Sequence, residues 1–258
     1  MMRTSAFAKS LDGSAPAKPE LPLIHTTKSR RLATIAESGI LSPQPCPIFE
    51  EPILYLFYGR PSYRDTNSLP QKDISLCPVC FIFRPETVSK NLARIYPFDT
   101  GASTGEMYKP EISPDEALQK YVLPPSILSA QQVIEKFFDT NRQYVFVTPK
   151  ESIEFARDDE ISKKYYQLIT DGGTPECDDR KSAIECQSLE ALNLNTDLMA
   201  VIMPLPFLDD DRIKTALLHE WRAHPLTYET INGTRPSEYH VKVRDCLNIY
   251  LKNWGMIK

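Results

Sequence analysis

Three separated groups of side chains in this 258-residue chain have the chemistry of a ligand-binding site. They are His25-Thr26-Thr27, the aromatic run Leu54 to Tyr58 with Arg60 and Tyr63 after it, and Glu185 inside the mostly apolar run 182–187. A carboxylate can stabilise a developing positive charge, and an arginine can bind an anion through two parallel hydrogen bonds. An aromatic ring can stack on a flat ligand.

Each of these groups also has a purely structural interpretation. His25 could be a hydrogen-bonded histidine at the end of a strand, the aromatic run could be core alone, and Arg60 could be a solvated turn charge. Glu185 is harder to explain, because burying an unpaired carboxylate is costly. An ion pair with Arg180 or Lys181 would account for it, so both interpretations stay open.

Apolar runs predict the strands that must carry these side chains. They are expected at Leu21–His25, Ile53–Tyr58, Cys77–Arg84, Arg94–Phe98, Ser182–Gln187 and Leu198–Met203. The third and fourth of these strands are expected to pair with each other. Pro78 cannot donate a backbone hydrogen bond, so it predicts an edge position or a bulge.

Apolar residues at helical spacing predict the helices. They are a helix capped by Thr27 or Ser29 and ended by Gly39, then Ser129–Phe138, Glu160–Ile169, Asp209–Leu218 and Pro236–Asn253. The mixture of strands and helices indicates an α+β fold. Residues 19–258 are expected to form a single domain, and the Ala/Ser/Lys-rich residues 1–18 are expected to be a disordered lead.

The composition narrows the functional classes. The formal charge is −4, and the chain holds 9 glycines against 22 prolines, which argues against glycine-built phosphate loops. No apolar run reaches the roughly 20 residues of a membrane span, so no membrane partner is expected. Residues 1–18 lack the apolar stretch of a secretory signal. Six cysteines without such a signal predict free thiols and a cytoplasmic location.

The string Asp99-Thr100-Gly101-Ala102 matches the active-site loop of aspartic proteases. That chemistry needs two aspartates sharing a proton, and the chain carries a single copy of the string. The same string could cap local backbone N–H groups. As a third interpretation, Asp99 could border a ligand cleft.

Neither of two zinc-like patterns predicts a metal site. His219 and His224 lie five residues apart, about 140° around a helix, whereas a zinc-binding helix needs a spacing of about four. Cys77 and Cys80 have no second cysteine pair at ligand spacing. No metal is therefore expected.

The order of the three groups resembles the ADP-ribosyltransferase superfamily, and within it most nearly the DarT-type toxins. The resemblance rests on the His25-x-Thr27 start, a helix ending at Gly39, and an aromatic strand that runs into Arg60-Pro61-Ser62-Tyr63. Glu185 is added by its position and polarity. The Glu-x-Glu pattern of the superfamily is absent, because Gln187 stands two residues after Glu185.

The resemblance, whose motifs lie mainly in the segment Leu21 to Arg64, implies NAD as the substrate. It also implies an α+β fold with a split, mostly antiparallel sheet flanked by helices. His25-Thr26-Thr27 would hold the nicotinamide ribose, with the histidine donating a hydrogen bond to a ribose hydroxyl. Tyr58 or Tyr63 would stack on the nicotinamide ring.

The resemblance further assigns the anionic diphosphate to an arginine, with Arg31, Arg60 and Arg64 as candidates, and gives Arg60 a catalytic part. Glu185 is the expected catalytic acid. Cleavage of the nicotinamide–ribose bond passes through an oxocarbenium-like centre, which a carboxylate stabilises. Asp99 is a second-tier candidate at the border of the NAD cleft.

These assignments predict an NAD-dependent mono-ADP-ribosyltransferase that needs no metal. The acceptor is expected to be a macromolecule, with nucleic acid ahead of protein. A role as a toxin or defence effector, with a neutralising antitoxin as partner, follows from the same resemblance. Two alternatives stay open: a catalytically inactive binding module of the same fold, and an aspartic-protease-like enzyme that uses Asp99.

Overall fold

The computed structural model describes residues 5–62, 73–105, 107–109, 111–171 and 179–258. Tyr63 and Arg64 of the predicted ligand-binding segment lie outside these ranges. The described residues form a mixed α/β structure in which an open, mostly antiparallel sheet is flanked by helices.

The sheet arranges its strands in an order that differs from their order along the chain. The strands are β1 Leu23–Lys28, β2 Ile40–Leu41, β3 Gln44–Cys46, β4 Glu51–Tyr58, β5 Pro78–Phe83, β6 Leu92–Tyr96, β7 Glu185–Ser188, β8 Leu192–Asn193, β9 Leu198–Pro204 and β10 His224–Tyr228. The main sheet runs β10-β9-β5-β1-β4-β7-β6, and β3 also pairs with β4. Its pairs are antiparallel except β9 with β10. β2 and β8 form a separate small sheet.

The predicted pairing of the third and fourth strands is wrong. β5 lies in the middle of the sheet between β1 and β9, whereas β6 lies at one edge against β7. Pro78 is the first residue of β5, a position where a strand tolerates proline, so it marks neither an edge strand nor a bulge. The register shifts between Ile82 and Phe83 instead. Every side chain of β5 is buried, as expected for a central strand.

β1 and β4 are paired over only a short distance. Two register pairs join them, and the last is Ile24 with Phe57. Beyond that pair β1 continues along β5 as far as Lys28, while β4 continues along β7. The sheet therefore opens between β1 and β4. His25 lies at this opening, inside β1 rather than at the predicted strand end.

The described helices agree with most of the predicted helical segments. They are α1 Ala6–Ser10, α2 Leu32–Ser38, α3 Pro85–Val88, α4 Thr100–Thr104, α5 Pro114–Lys120, α6 Ile127–Phe137, α7 Asn141–Val145, α8 Glu160–Thr170, α9 Leu194–Asp197, α10 Asp211–Thr215 and α11 Tyr239–Asn253. The predictions for α6, α8 and α11 are confirmed within a few residues. α10 is capped by Asp210 rather than Asp209 and runs into a π-turn, Ala216–Glu220. α11 packs on β5, β9 and β10.

The predicted cap of α2 is wrong. Thr27 belongs to β1, and the Ser29 hydroxyl donates a hydrogen bond to the carbonyl of Cys77 at 2.7 Å. A short 3₁₀ turn, Ser29–Arg31, precedes α2 instead. Gly39 ends the helix as predicted, with a φ of 64° that favours glycine.

Residues 5–18 are part of the packed structure, rather than the disordered lead that their composition predicts. Phe7 of α1 is completely buried. Its ring centroid lies 5.1 Å from those of Tyr121 and Tyr165 and 5.8 Å from that of Phe137. Composition misses this docking, because one large aromatic side chain can anchor a short polar segment by burying its area.

The five described cysteines are free thiols, as predicted: Cys46, Cys77, Cys80, Cys186 and Cys246. Among the described residues, no helix is both long enough and apolar enough to cross a membrane.

Candidate functional site

Glu185 is the first residue of β7 and is 1% exposed. One carboxylate oxygen accepts a hydrogen bond from the backbone N–H of Thr100 at 2.9 Å. The other accepts from the Thr100 hydroxyl at 2.8 Å and from Nε2 of Gln187 at 2.7 Å. Three donors therefore fix both oxygens of the buried acid, and these hydrogen bonds account for its burial.

The loop that holds Glu185 is the string Asp99-Thr100-Gly101-Ala102. Asp99 caps α4, because its Oδ1 accepts from the N–H of Ala102 at 3.0 Å. Its Oδ2 accepts from the Ser62 hydroxyl at 2.8 Å. The capping interpretation is thus confirmed, and the same turn presents the N–H of Thr100 to the neighbouring acid. Asp99 also lines the cleft described below.

Burial raises the pKa of Glu185 from 4.5 to about 8, and the negative charge of Asp99 adds to the rise. The hydrogen bonds from Gln187 and Thr100 favour the ionised form and offset part of this increase. At neutral pH the carboxyl group is therefore mostly protonated. A positive charge brought into the cleft would favour its ionisation.

His25 has a fixed tautomer. Its Nδ1 lies 2.8 Å from the backbone carbonyl of Tyr55, and because a carbonyl can only accept, Nδ1 carries the proton. Burial and the positive charge of Arg31 outweigh the effect of this bond and lower the pKa of His25 from 6.5 to about 4. The ring is therefore neutral at pH 7. Its Nε2 is buried and has no hydrogen-bond partner among the described residues.

This tautomer corrects the role expected for His25. A neutral imidazole protonated on Nδ1 presents a lone pair at Nε2, so that atom can accept a hydrogen bond but cannot donate one. A ligand hydroxyl would have to be the donor.

An aromatic wall lies on the same face of the sheet as Glu185. Phe57 is the register partner of Glu185 in the β4–β7 ladder, and Tyr55 is the partner of Gln187. Directly opposed residues of an antiparallel ladder project to the same face. The Tyr55 hydroxyl also lies 2.8 Å from Sγ of Cys46, which holds the ring against β3.

These side chains surround one cleft of about 440 Å³. Its walls come from β1, the β3 segment, β4, the α4 loop and β7: His25, Thr26, Pro45, Cys46, Pro47, Ile48, Tyr55, Phe57, Ser62, Asp99, Gly101, Arg180 and Glu185. Four of the sequence-predicted site residues, His25, Thr26, Asp99 and Glu185, thus lie in a single cleft. The volume lies within the usual range of small-molecule sites.

Tyr58 does not line the cleft and is completely buried. Its hydroxyl accepts a hydrogen bond from the N–H of Leu21 at 2.9 Å, and its carbonyl accepts from the Tyr144 hydroxyl at 2.7 Å. Tyr58 and Phe57 are adjacent in β4, so their side chains project to opposite faces. Phe57 and Tyr55, rather than Tyr58, therefore line the cleft.

Arg60 is also buried away from the cleft lining, with 1% exposure. Its Nη2 donates to the carbonyl of Asp179 at 3.0 Å and to the Ser182 hydroxyl at 2.6 Å. Its guanidinium carbon lies 4.7 Å from the centroid of the Tyr144 ring. Arg60 therefore holds the 3₁₀ turn Asp179–Ser182 that leads into Glu185, which is a structural contact with the site rather than a side chain in it.

The remaining predicted residues divide between two places. Thr27 is buried in β1. Arg31 lines a second cleft of about 440 Å³ together with Arg30, Ser42 and Gln44. Gln44 of the second cleft and Pro45 of the first are consecutive residues of β3.

Several residues of the site escaped the sequence analysis. Thr100 and Ser62 stand in strings that the sequence singles out, but the contacts that they and Cys46 make depend on loops brought together by the fold. Tyr55 and Phe57 could have been found, because the two-residue period of β4 separates them from Tyr58.

Neither the search for metal ligands nor the comparison with known proteins assigns a role to any further residue. Within the described ranges, no group of three or more His, Cys, Asp or Glu side chains is arranged to hold a metal ion. No protein-family model and no curated protein matches this sequence.

Proposed function

We propose that the protein is an NAD-dependent mono-ADP-ribosyltransferase that modifies a macromolecule. The observation that carries the proposal is the meeting of His25 and Glu185 in one cleft, although they are far apart in the sequence. The resemblance assigned these two residues to the ribose and to catalysis. The opening of the sheet between β1 and β4 also agrees with the split sheet that the resemblance implies.

The unpartnered Nε2 of His25 supports a ligand rich in hydroxyl groups. A buried acceptor without a donor is costly, and a ribose hydroxyl would satisfy it. Phe57 and Tyr55 supply aromatic faces for a flat ring such as nicotinamide. The second cleft, which Arg30 and Arg31 line, supplies positive charge for the diphosphate. These three features match the three chemical parts of the nicotinamide half of NAD.

Glu185 supplies the catalytic group. NAD contributes a glycosidic bond whose leaving group, nicotinamide, carries a positive charge before cleavage. That charge favours the ionised form of the Glu185 carboxyl group. The ionised carboxylate then stabilises the positive charge that develops on the ribose, in a buried environment where such an interaction is strong. Thr100 and Gln187 keep both oxygens in place during this step.

The acceptor class is part of the proposal. DNA or RNA is the first acceptor to test and protein is the second. If expression of the active protein alone arrests growth, a role as a toxin or defence effector follows. A neutralising antitoxin is then expected as its partner.

The test is incubation of the purified protein with NAD labelled in its adenylate part, in the presence of DNA, RNA or a protein lysate. The wild type should consume NAD and transfer the label to one acceptor class. Glu185→Gln should lower turnover by about 100-fold or more, as removal of a charge-stabilising group does, while binding of NAD changes little. Glu190→Gln, an exposed acid just after β7, is the matched control and should behave as wild type.

Absence of NAD consumption by the wild type with every acceptor class would overturn the transferase. If NAD then bound to the protein without being cleaved, the inactive binding module of the same fold would take its place.

A further inference from the structure

We propose that Arg94 is a positioning residue that sets the amide orientation of Gln187 and, through it, holds the carboxyl group of Glu185. The catalytic importance of this carboxyl group rests on the proposed function. The geometry that supports it lies entirely within the protein.

Three side chains form a continuous hydrogen-bonded row across the sheet. Nε of Arg94 donates to Oε1 of Gln187 at 2.8 Å, and Nε2 of Gln187 donates to Oε1 of Glu185 at 2.7 Å. Gln187 is completely buried. The row is built by register, because Arg94 in β6 is the direct partner of Gln187 in β7. Glu185 and Gln187 are two residues apart on one strand and therefore share a face.

Arg94 decides which way the amide of Gln187 points. An amide offers an acceptor at one end and a donor at the other, and an arginine can only donate. The guanidinium of Arg94 therefore requires Oε1 on its side and leaves Nε2 facing Glu185. A donor facing the carboxyl group stabilises its ionised form. Without Arg94 the amide could turn over and face Glu185 with its oxygen, which would favour the protonated form.

Arg94 is itself held on two sides. Its Nη2 pairs with the carboxylate of Glu51 on β4, and its guanidinium carbon lies 4.4 Å from the centroid of the Phe49 ring. The Arg94 side chain is only 18% exposed. A guanidinium fixed by an ion pair and an aromatic face has little freedom, so its Nε can determine the position of the amide.

Other ionisable groups act on Glu185 from the surrounding elements, and a test must separate them from the row. Asp99 faces it from the α4 loop, Tyr55 from β4, Tyr96 from β6 and Cys186 from its own strand. Arg180 lines the same cleft. The variants below change none of these groups.

The first measurement needs no NAD. The free energy of unfolding is measured in urea from pH 5 to 9 for the wild type, Arg94→Met, Gln187→Met and the double variant, each with and without Glu185→Gln. In each background, the difference in unfolding free energy between the proteins with and without Glu185→Gln reports proton release by Glu185. The pH dependence of that difference gives the midpoint of the Glu185 titration. Loss of one hydrogen bond to the ionised form should move the midpoint upward by about one pH unit.

The double variant distinguishes positioning from a direct effect of charge. If Arg94 acts through Gln187, Arg94→Met and Gln187→Met should each raise the midpoint, and the double variant should raise it little further. Arg94→Lys, which retains a charged donor, should lie closer to wild type. Arg212→Met is the matched control, because Arg212 also binds a glutamate, Glu220, and should leave the midpoint unchanged.

Two results would overturn the positioning role: an unchanged midpoint in Gln187→Met, or fully additive shifts in the double variant. If Arg94→Met does not fold, Arg94→Lys and Gln187→Met carry the same comparison.

The second measurement is the pH profile of NAD consumption, which should shift to higher pH in Arg94→Met. If the wild type consumes no NAD, the transferase fails, while the urea measurement still decides the role of Arg94.

Discussion

The imidazole of His25 bridges the opening of the sheet by donating from Nδ1 to the backbone carbonyl of Tyr55, 2.8 Å away. The register pairs between β1 and β4 end one residue earlier, at Ile24 and Phe57. A side chain thus takes over where the backbone ladder stops. The bond joins the two halves of the sheet and, because Nδ1 carries the proton, leaves a lone pair on the buried Nε2.

Acid should destabilise the protein through His25. Its pKa is lowered from 6.5 to about 4 in the folded protein, so the unfolded chain binds a proton in this window that the folded chain does not. The contribution of His25 to the unfolding free energy should therefore be fully present above pH 6.5 and should be lost as the pH drops through about 4. His25→Asn, which can still donate to Tyr55, should show a shallower decline in urea unfolding between pH 7 and 4. Equal slopes in both proteins would contradict this assignment.

NAD cleavage should become faster as the pH rises toward about 8. The carboxyl group of Glu185 has a pKa raised to about 8, and the proposed chemistry needs its ionised form. The value of kcat/KM should therefore increase about tenfold per pH unit below the midpoint and level off above it. NAD consumption measured from pH 6 to 9.5 checks this. A profile that is flat or falls with pH would exclude ionised Glu185 as the reacting form.

The two faces of β4 should respond differently to substitution. Phe57→Ala should weaken NAD binding about tenfold or more by removing a stacking face. Tyr58→Phe should leave NAD binding unchanged and lower the unfolding free energy by about 1–3 kcal/mol, because the N–H of Leu21 loses its buried partner. Calorimetric NAD titration and urea unfolding of both variants measure these effects. Weaker NAD binding by Tyr58→Phe would show instead that Tyr58 contributes to the NAD site.

The structure also shows which features of the fold can be predicted from the sequence alone. Periodicity is a local signal, so it located β4, α6, α8 and α11 and placed Glu185 in a strand. It does not specify which strands become neighbours, since pairing depends on contacts between distant segments. That is why Cys77–Arg84 and Arg94–Phe98 were wrongly paired. The resemblance offered Tyr58 or Tyr63, whereas the alternation within β4 places Phe57 on the face opposite Tyr58.

Thr100 should control the ionisation of Glu185. Thr100→Val removes the hydroxyl donor at 2.8 Å but keeps the backbone N–H and the shape of the side chain. The pKa of Glu185 should rise further, so NAD turnover at pH 7 should fall about tenfold and recover partly at higher pH. Thr100→Ser keeps the hydroxyl and should retain the wild-type profile. Equal profiles for the valine and serine variants would mean that the hydroxyl has no such effect.

Phe7→Ala should reveal the contribution of the N-terminal residues to stability. Removing a completely buried aromatic ring from a packed cluster costs about 3–5 kcal/mol. Thermal and urea unfolding should both show the loss. Lys9→Ala changes an exposed side chain of the same helix and should have almost no effect. If the Phe7→Ala protein were as stable as wild type, the prediction from composition that these residues form a disordered lead would be supported.

The candidate site was only partly accessible from the sequence for a related reason. His25 and Glu185 could be selected one by one, because their residue types are unusual in apolar strands. Thr100, Ser62 and Gln187 take their roles from hydrogen bonds to residues that the fold brings close. Arg60 shows the converse, since a charge expected in the cleft instead supports the turn Asp179–Ser182 from inside the protein.

The two outermost strands of the open sheet differ in how they resist self-association. On the β6 side, Ile95 forms a bridge with Leu123, which occupies part of the outer rim. On the β10 side, the rim carries Pro225, which has no N–H to offer an incoming strand. Both features make it less favourable for a strand of another molecule to pair with the rims of the sheet. An open sheet with such rims is less prone to grow by adding strands from other copies of the protein.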